Sequence, residues 1–274
     1  MGSLPDSPLG KATHYADRYD PALLYRVERA PQRDAIGVRT PLPFEGFDSW
    51  TAWEANWLDA HGKPQVGVAR FDVPATSPCI VESKSVKLYF TALNQTRFAD
   101  AADYAATLAR DLSSATGAEV RVQLIEPGGY ALLERGEPAG DCIDGLPLRT
   151  IHDAPQAAQL AVATGAEAVA ETLVTRLFRS VCPVTGQPDY ATVQIAYRGM
   201  RIDRESLLAY LVAYRRHPGF HEHCVERIFT DIERACAPVA LGVVARFTRR
   251  GGIDINPWRR AGDVDIATRP TIVQ

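Results

Sequence analysis

One cysteine and one aspartate lie seven positions apart in the stretch Cys182–Asp189, with the sequence CPVTGQPD. A thiolate is the strongest nucleophile among protein side chains, and a nearby carboxyl group can pass a proton to the group under attack. The prolines and the glycine between them favour a fixed loop, which could bring the two groups to one point. The stretch therefore predicts covalent catalysis by Cys182 with Asp189 as proton donor. A structural cysteine buried in a turn is the alternative.

Three further polar stretches have residue types that suit ligand binding. They are Glu82–Ser85 (ESKS), Phe220–Cys224 (FHEHC) and Arg249–Gly252 (RRGG). Taken singly, each has a structural explanation: a capped helix start with solvated charges, a helix entry in which His221 packs, and a solvated turn after a strand. Their joint occurrence in one chain favours a functional site over these separate explanations.

The size and charge of the chain restrict the classes of function. Its 274 residues suit one large domain or two of ordinary size, and a formal charge of −3 provides no broad electrostatic surface for nucleic acid or an anionic membrane. No apolar run approaches the roughly 18 residues that span a bilayer, and the N-terminus lacks the layout of a signal peptide. The five cysteines form no Cys-x-x-Cys pair, so we expect reduced thiols in the cytoplasm, with no membrane contact and no direct contact with nucleic acid.

The hydrophobic periodicity predicts an α+β fold. Residues 1–50, rich in Pro, Gly, Arg and Asp, are expected to form an irregular lead segment. Alternation of apolar residues predicts strands at Val66–Val73, Glu119–Leu124, Tyr190–Tyr197 and Ala240–Thr248. Helical spacing predicts a first helix from Ser83, capped by Ser83 itself, and further helices at Phe98–Leu112, Ala157–Arg179, Arg204–Tyr214 and His223–Ala235. The helix-rich stretch Ala157–Arg179 would connect two halves of the chain.

The order of elements in the first half recurs in the second, which predicts a duplicated module. The sequence matches that set the alignment are Gly62–Gln65 with Gly186–Asp189, Ser85 with Ser206, and Tyr89 with Tyr210. In this alignment Leu58 occupies the position of Cys182 and Gln65 that of Asp189. Neither module would be complete alone, because the first lacks the nucleophile and the acid and the second lacks the ESKS stretch.

These observations predict the division of the chain. We expect a lead segment at 1–50, an N-terminal module with the ESKS stretch at 51–150, and a linker helix with the catalytic C-terminal module at 151–274. A site shared between the two modules would combine their separate motifs.

Four stretches resemble those of the NADPH-dependent 7-cyano-7-deazaguanine reductases, the nitrile reductases of the queuosine pathway. In chain order they are Glu82–Tyr89, Cys182–Asp189, Phe220–Cys224 and Arg250–Pro257. The arrangement is similar to the two-module branch of that family, and the likeness extends to the lead segment through Arg18–Pro21 and Trp50-Thr51. The resemblance implies the tunnelling fold, in which antiparallel sheets backed by helices join into a barrel on assembly. It also implies a purine-like base bound between modules, and we expect a homodimer.

The resemblance assigns roles to individual residues. Cys182 would attack the nitrile to form a thioimide, Asp189 would protonate the nitrogen, and His221 would relay protons. The base would contact Val81, Glu82, Ser83, His221 and Glu222. The phosphates of NADPH would meet Lys84 and Arg250, with Ser83 and Gly251 close by.

The reaction implied is the four-electron reduction of 7-cyano-7-deazaguanine, bound as the free base, to 7-aminomethyl-7-deazaguanine, a precursor of a modified tRNA base. It would consume two NADPH per product and need no metal. The assignment of NADPH rests on the resemblance, because no Gly-x-Gly-x-x-Gly fingerprint of a Rossmann domain follows a predicted strand.

Two other functions fit parts of the pattern. A zinc hydrolase of the same fold type, such as a GTP cyclohydrolase, would use Cys182, His221, His223 or Cys224, although the chain has no His-Glu-x-x-His or Cys-x-x-Cys spacing. A non-catalytic module that binds a base or tRNA is the other alternative, and the nearly neutral charge argues against tRNA.

Overall fold

Strands and helices alternate along the chain in an α+β arrangement. The computed structural model describes residues 18–266, 270 and 271, so residues 1–17 of the lead segment lie outside the described residues. The strands in the described part are β1 (Arg26–Glu28), β2 (Glu45–Leu58), β3 (Pro64–Pro74), β4 (Cys79–Val81), β5 (Arg121–Ile125), β6 (Asp141–Cys142), β7 (Ala168–Val181), β8 (Pro188–Met200), β9 (Ala240–Phe247) and β10 (Ile253–Ala261). The α-helices there are α1 (Ala30–Ala35), α2 (Ser83–Leu93), α3 (Ala101–Thr116), α4 (Arg204–Val212) and α5 (His221–Cys236). Not one of these helices combines the length and apolarity needed to cross a bilayer.

The chain divides into two compact units. Unit 1 contains residues up to 31, 49–133 and 249–254, and unit 2 contains residues 32–48, 134–248 and 255 onward. The unit boundaries therefore fall inside α1, β2 and β10 as well as in loops. Because a segment of the C-terminal half belongs to unit 1, the units are not two successive pieces of sequence.

Unit 1 buries aromatic side chains between its strands and its two long helices. β3 pairs with β5 and β1 with β4, both antiparallel. The ring of Trp57 on β2 stacks on Tyr104 of α3 with 4.5 Å between centroids, and Trp50 stacks on Phe71 of β3 at 5.5 Å. Each large side chain removed from water in this way contributes about 1.5–3 kcal/mol to stability.

Unit 2 is built on a long antiparallel hairpin. β7 and β8 pair over twelve positions, with a bulge between Thr175 and Phe178, and β9 pairs antiparallel with both β8 and β10. The short strand β6 adds a two-residue parallel pair to β7. Helix α5 packs a fully buried face of Val225, Ile228, Phe229 and Ile232. This helix begins where the polar FHEHC stretch lies, so the packing of α5 fixes that stretch in space.

The two units repeat the same internal hydrogen bonds, which supports the predicted duplication. In unit 1, Tyr89 of α2 donates to Asp111 of α3 at 2.7 Å. In unit 2, Tyr210 of α4 donates to Asp231 of α5 at the same distance. The matched pairs link the first and second helix of each unit in the same way.

The predicted helix at Ala157–Arg179 is wrong. Only a short 3-10 helix at Ala157–Gln159 forms, and the chain then extends as the 14-residue strand β7. The alanines favour a helix locally, but the second part of the stretch is rich in Val and Thr, which pack well in a sheet. Pairing of β7 along β8 outweighs the helical preference of single residues.

From residue 18 onward, the lead segment has more regular structure than its composition predicts. A 3-10 helix at Pro21–Leu23, strand β1 and helix α1 lie within it, and β2 already begins at Glu45. Proline and glycine in this segment mark the ends of short helices and strands and do not prevent these from forming.

Candidate functional site

The loop of Cys182 is a tight connection between β7 and β8. The backbone N–H of Cys182 donates to the carbonyl of Gln187 at 2.8 Å, and the N–H of Gly186 donates to the carbonyl of Cys182 at 3.0 Å. Gly186 adopts φ +70°, a left-handed conformation that glycine tolerates best. The prediction of a fixed loop is confirmed, and it leaves the thiol of Cys182 partly exposed.

The first residues of β8 and α5 bring a carboxyl group and an imidazole together. Asp189 is buried, and its Oδ1 lies 3.5 Å from Nε2 of His221. His221 is the first residue of α5, and its ring stacks on Phe247 of β9 with 3.7 Å between centroids and 9° between planes. A proton could pass between the two side chains with little movement.

Helix α5 holds three further side chains from the FHEHC stretch. Glu222 and Cys224 are buried. Burial raises the pKa of the Cys224 thiol to about 12, so this thiol stays protonated at neutral pH and is a poor nucleophile. Of Cys182, which is partly exposed, and Cys224, Cys182 is therefore the better candidate for covalent chemistry.

Two histidines near the start of α5 are held neutral. Burial lowers the pKa of His217 and of His223 to about 4, from an ordinary value of 6.5. A neutral imidazole is cheaper to bury than an imidazolium, which explains the direction. These histidines therefore contribute no positive charge to unit 2 at neutral pH.

The neutral state of His223 predicts a pH-dependent stability. Between pH 6.5 and about 4 the unfolded chain binds a proton at His223 that the folded chain refuses, so stability falls as pH falls through this window. The loss attributable to His223 should be about 3 kcal/mol. Urea unfolding at pH 7 and pH 4 should show a smaller pH-dependent loss for His223→Asn than for the unchanged chain. The exposed His61 provides the control, because His61→Asn should keep the full loss, and an equal loss in both variants would contradict the assignment.

In unit 1, the carboxylate of Glu82 caps helix α2. It accepts the backbone N–H groups of Lys84 at 2.9 Å and Ser85 at 2.8 Å. The prediction of Ser83 as the cap is wrong, because Ser83 is already the first helical residue and is exposed. Burial raises the pKa of Glu82 despite these bonds. Val81, which precedes it, is buried at the end of β4.

The remaining predicted residues of unit 1 lie at a glycine turn and at the start of α2. Arg250 and Ile253 exchange both backbone hydrogen bonds around Gly251 and Gly252, whose φ values are +57° and +79°. Two successive positive φ angles are typical of the tightest hairpin turns. Lys84, in the first turn of α2, is half-buried.

Two charged residues beside this turn were not singled out by the sequence analysis. A Cβ added to Gly251 would lie 3.7 Å from the side chain of Lys87, and one added to Gly252 would collide with the carboxylate of Glu54. Lys87 and Glu54 form an ion pair with each other. The position of Lys87 three residues after Lys84 on one helix face was the available signal.

The predicted site residues are divided between the two units. Unit 2 holds Cys182, Asp189, His221 and Glu222, and unit 1 holds Val81, Glu82, Ser83, Lys84, Arg250 and Gly251. Within unit 2, Asp189 and His221 are in contact.

The counterpart of the Cys182 loop in unit 1 corrects the predicted alignment. Asp59 donates its N–H to the carbonyl of Lys63 and accepts from Gly62, the same pair of bonds that Cys182 makes. Asp59, not Leu58, therefore occupies the position of Cys182, because the loop in unit 1 is one residue shorter. The matched bonds also place Lys63 opposite Gln187, and Gln65 and Asp189 each follow two residues later, so Gln65 does correspond to Asp189.

A structural or catalytic zinc site needs three or more protein ligands close together. Across the residues that the structure describes, no group of three His, Cys, Asp or Glu side chains is placed to hold a metal ion.

Comparisons with known proteins identify relatives of the whole chain. A family model described as nitrile reductase, 7-cyano-7-deazaguanine-reductase N-term, matches residues 15–124, and one described as QueF-like protein matches residues 188–265. The NADPH-dependent 7-cyano-7-deazaguanine reductase of Chromobacterium violaceum is 53% identical over 92% of this chain and 91% of its own. The reductase of the same name from Bordetella pertussis is 51% identical over 94% of both chains.

A solved structure gives a much weaker likeness. An archaeosine synthase QueF-Like in the apo form aligns over 36% of this chain with 19% identity and a TM-score of 0.31, which is too little to bear on the fold. Sequence identity with the reductases, by contrast, extends over nearly the whole chain. The chain therefore belongs to the family of NADPH-dependent 7-cyano-7-deazaguanine reductases.

Proposed function

We propose that this chain reduces the nitrile of 7-cyano-7-deazaguanine to the primary amine, with NADPH as reductant. The observation that carries the proposal is the arrangement of the hairpin loop. Cys182 is fixed and partly exposed at one end of the loop, and Asp189 is buried at the other end, 3.5 Å from His221. A nucleophile with a proton donor in the same hairpin is the minimum that covalent attack on a nitrile requires.

The first step is addition of the thiol to the nitrile. The thiolate of Cys182 bonds to the nitrile carbon, the carbon–nitrogen triple bond becomes a double bond, and the nitrogen takes a proton from Asp189. The product is a thioimide linked to the protein. His221, 3.5 Å from Asp189, returns a proton to the carboxylate for the next cycle.

The later steps release the carbon from the protein. When bound, NADPH supplies the two hydrides, and thus the four electrons, that separate a nitrile from a primary amine. Cys182 leaves as the thiolate between the two reductions, and one further proton completes the amine. The overall change is one nitrile, two NADPH and two protons to one amine and two NADP⁺.

Substrate recognition is assigned to carboxylates. A guanine-like edge presents an amino group and a ring N–H side by side, and a carboxylate accepts two such bonds in parallel. Glu82 already accepts the backbone N–H groups of Lys84 and Ser85, and the hydroxyl of Ser83 donates to it at 3.3 Å. Rotation of that hydroxyl away from Glu82 would leave both carboxylate oxygens with a lone pair for the base. Glu222 is the second carboxylate assigned to the base, together with contacts from Val81, Ser83 and His221.

The cations of unit 1 suit the phosphates of NADPH. Lys84 and Arg250 carry the charge, and Gly251, which lacks a side chain, allows close approach of a ligand to the backbone. Ser83 is exposed beside Lys84, and its hydroxyl, which donates to Glu82 at 3.3 Å, could turn to a phosphate instead. The residues present therefore fit a phosphate-bearing cofactor.

The remaining parts of the proposal concern the setting of the reaction. The substrate is the free base, and the product feeds the queuosine modification of tRNA without contact between this chain and nucleic acid. The protein acts in the cytoplasm as a homodimer, and the tunnelling-fold barrel forms on assembly.

The stoichiometry of reduction tests this function. Purified protein mixed with 7-cyano-7-deazaguanine and NADPH should oxidise two NADPH for each molecule of amine, with the amine identified by mass. Absorbance at the NADPH band and quantified product give the ratio directly. Oxidation of one NADPH per product, or no oxidation at all, would overturn the proposed reaction.

A further inference from the structure

Of the two ring nitrogens of His221, one lies near a hydrogen-bond partner in the described part of the chain and the other does not. Nε2 faces Asp189 at 3.5 Å. Nδ1 is buried and finds no hydrogen-bond partner among the described residues. In many histidines with a fixed orientation, hydrogen bonds at both ring nitrogens hold the ring. In His221 only Nε2 has such a partner within the ranges described, so hydrogen bonding alone does not fix the rotation of the ring.

The face of the ring is fixed instead by Phe247. The two rings are parallel within 9°, with centroids 3.7 Å apart, so their faces are in van der Waals contact. A rotation of the imidazole about its own bond would drive its edge into the phenyl ring. Contact of this kind restricts the imidazole to one plane.

The sheet explains why Phe247 lies beneath His221. Phe247 of β9 pairs directly with Ala191 of β8, and directly paired residues share a face of the sheet. Asp189 lies two residues before Ala191 and is therefore on that face as well. Neighbouring strands thus present a carboxyl group to the edge of His221 and a phenyl ring to its plane.

Phe247 is itself held in place. It is fully buried, and its ring meets Phe178 of β7 edge to face at 6.0 Å. Phe178 in turn contacts Tyr214 at 5.1 Å. The phenyl ring under His221 is therefore part of a packed aromatic series and cannot move aside freely.

We propose that Phe247 is a positioning residue for the reaction, which holds the His221 imidazole in the plane where Nε2 points at Asp189 during proton transfer. The inference rests on the proposed function, since the proton relay has a purpose only in that reaction. Phe247 does not react itself. It acts by keeping the donor and the acceptor aligned, and misalignment by about 1 Å can cost up to about 100-fold in rate.

Substitution of Phe247 by leucine or tyrosine distinguishes the effect of a flat aromatic ring from the effect of side-chain volume. Phe247→Leu should lower kcat by about 10- to 100-fold with the KM for 7-cyano-7-deazaguanine changed less than about twofold, and it should raise the solvent deuterium isotope effect on kcat because proton transfer becomes slower. Phe247→Tyr keeps the ring and should retain most of the rate. Phe178→Leu is the matched control: it removes the next buried ring, which does not touch His221, and should lower the melting temperature with kcat nearly unchanged.

Nuclear magnetic resonance of the free protein tests the contact without substrate. The carbon-bound protons of His221, assigned by their absence in His221→Asn, should be shifted upfield by the phenyl ring and should return to ordinary positions in Phe247→Leu. Equal losses of kcat in Phe247→Leu and Phe178→Leu, or equal losses in the leucine and tyrosine variants at position 247, would overturn the proposal. If the unchanged chain fails to reduce the nitrile, the proposed reaction is wrong, and the proton shifts still report whether Phe247 holds His221.

Discussion

Replacing Cys182 by alanine should lower kcat for nitrile reduction by about 10⁴-fold or more, because the covalent route then has no nucleophile. The side chain is partly exposed in a loop whose shape depends on backbone hydrogen bonds and on Gly186. Removal of the sulfur should therefore leave folding nearly unchanged, and binding of the base should persist. Measurement of NADPH oxidation together with substrate affinity separates these two effects.

Cys142 provides the matched control for this variant. It is another cysteine of unit 2, it is exposed, and it lies outside the assigned site. Cys142→Ala should keep kcat within about twofold, as expected for a surface change. Substantial turnover by Cys182→Ala would refute covalent catalysis by this residue, and loss of turnover in both variants would show that the assay reports on something other than the assigned thiol.

Asp189→Asn should lower kcat by about 10²- to 10⁴-fold, the usual contribution of a general acid. Asparagine has nearly the same shape but cannot release a proton to the nitrile nitrogen. Asp189 is buried at the start of β8, beside His221, so the amide should occupy the same space. Single-turnover kinetics should show slower formation of the covalent adduct, with substrate affinity changed far less than the rate.

Asp231 is a suitable comparison because it is a buried carboxylate of the same unit. It accepts a hydrogen bond from Tyr210 at 2.7 Å, within the pair of helices that carries the duplicated pattern. Asp231→Asn should reduce stability by about 1–3 kcal/mol and leave kcat close to its original value. If the two variants lose kcat equally, the effect of Asp189→Asn is structural and its role as the acid is contradicted.

The sequence predicted most of the regular elements because their hydrophobic period is strong. The predictions of β3, α3, α4, α5 and β9 agree with the structure apart from a few residues at their ends. Strand β7 was missed because its alanines indicate a helix, whereas its extended form depends on pairing with β8, whose partner residues lie from 7 (Val181 with Pro188) to 32 (Ala168 with Met200) positions further along the chain. Pairing between residues that far apart produces no periodic pattern of hydrophobic residues within β7 itself, so the sequence of β7 alone does not indicate it.

Part of the candidate site was visible in the sequence and part was not. The Cys182–Asp189 loop could be predicted, because proline, glycine and two reactive side chains lie close together in the sequence. The stacking of Phe247 on His221 does not, because β9 is buried along its whole length and any of its apolar residues could have faced α5. Only the register of the sheet selects Phe247.

The correspondence between the two modules shows how a single residue changes an assignment. Counting from the matched glycines without a gap places Leu58 opposite Cys182. The loop after β2 is one residue shorter than the loop after β7, and the hydrogen bonds of Asp59 reveal the true counterpart. Loop lengths vary between repeats at little energetic cost, so positions across a loop are the least secure part of such an alignment.

If Cys182 attacks the nitrile, a covalent adduct should form before any reduction takes place. The protein would be mixed with 7-cyano-7-deazaguanine in the absence of NADPH, and its absorbance and intact mass would be measured for the unchanged chain, Cys182→Ala and Cys142→Ala. We expect a new absorbance band and a mass gain of one substrate molecule in the unchanged chain and in Cys142→Ala, with neither in Cys182→Ala. An adduct that survives in Cys182→Ala, or the absence of any adduct in the unchanged chain, would contradict it.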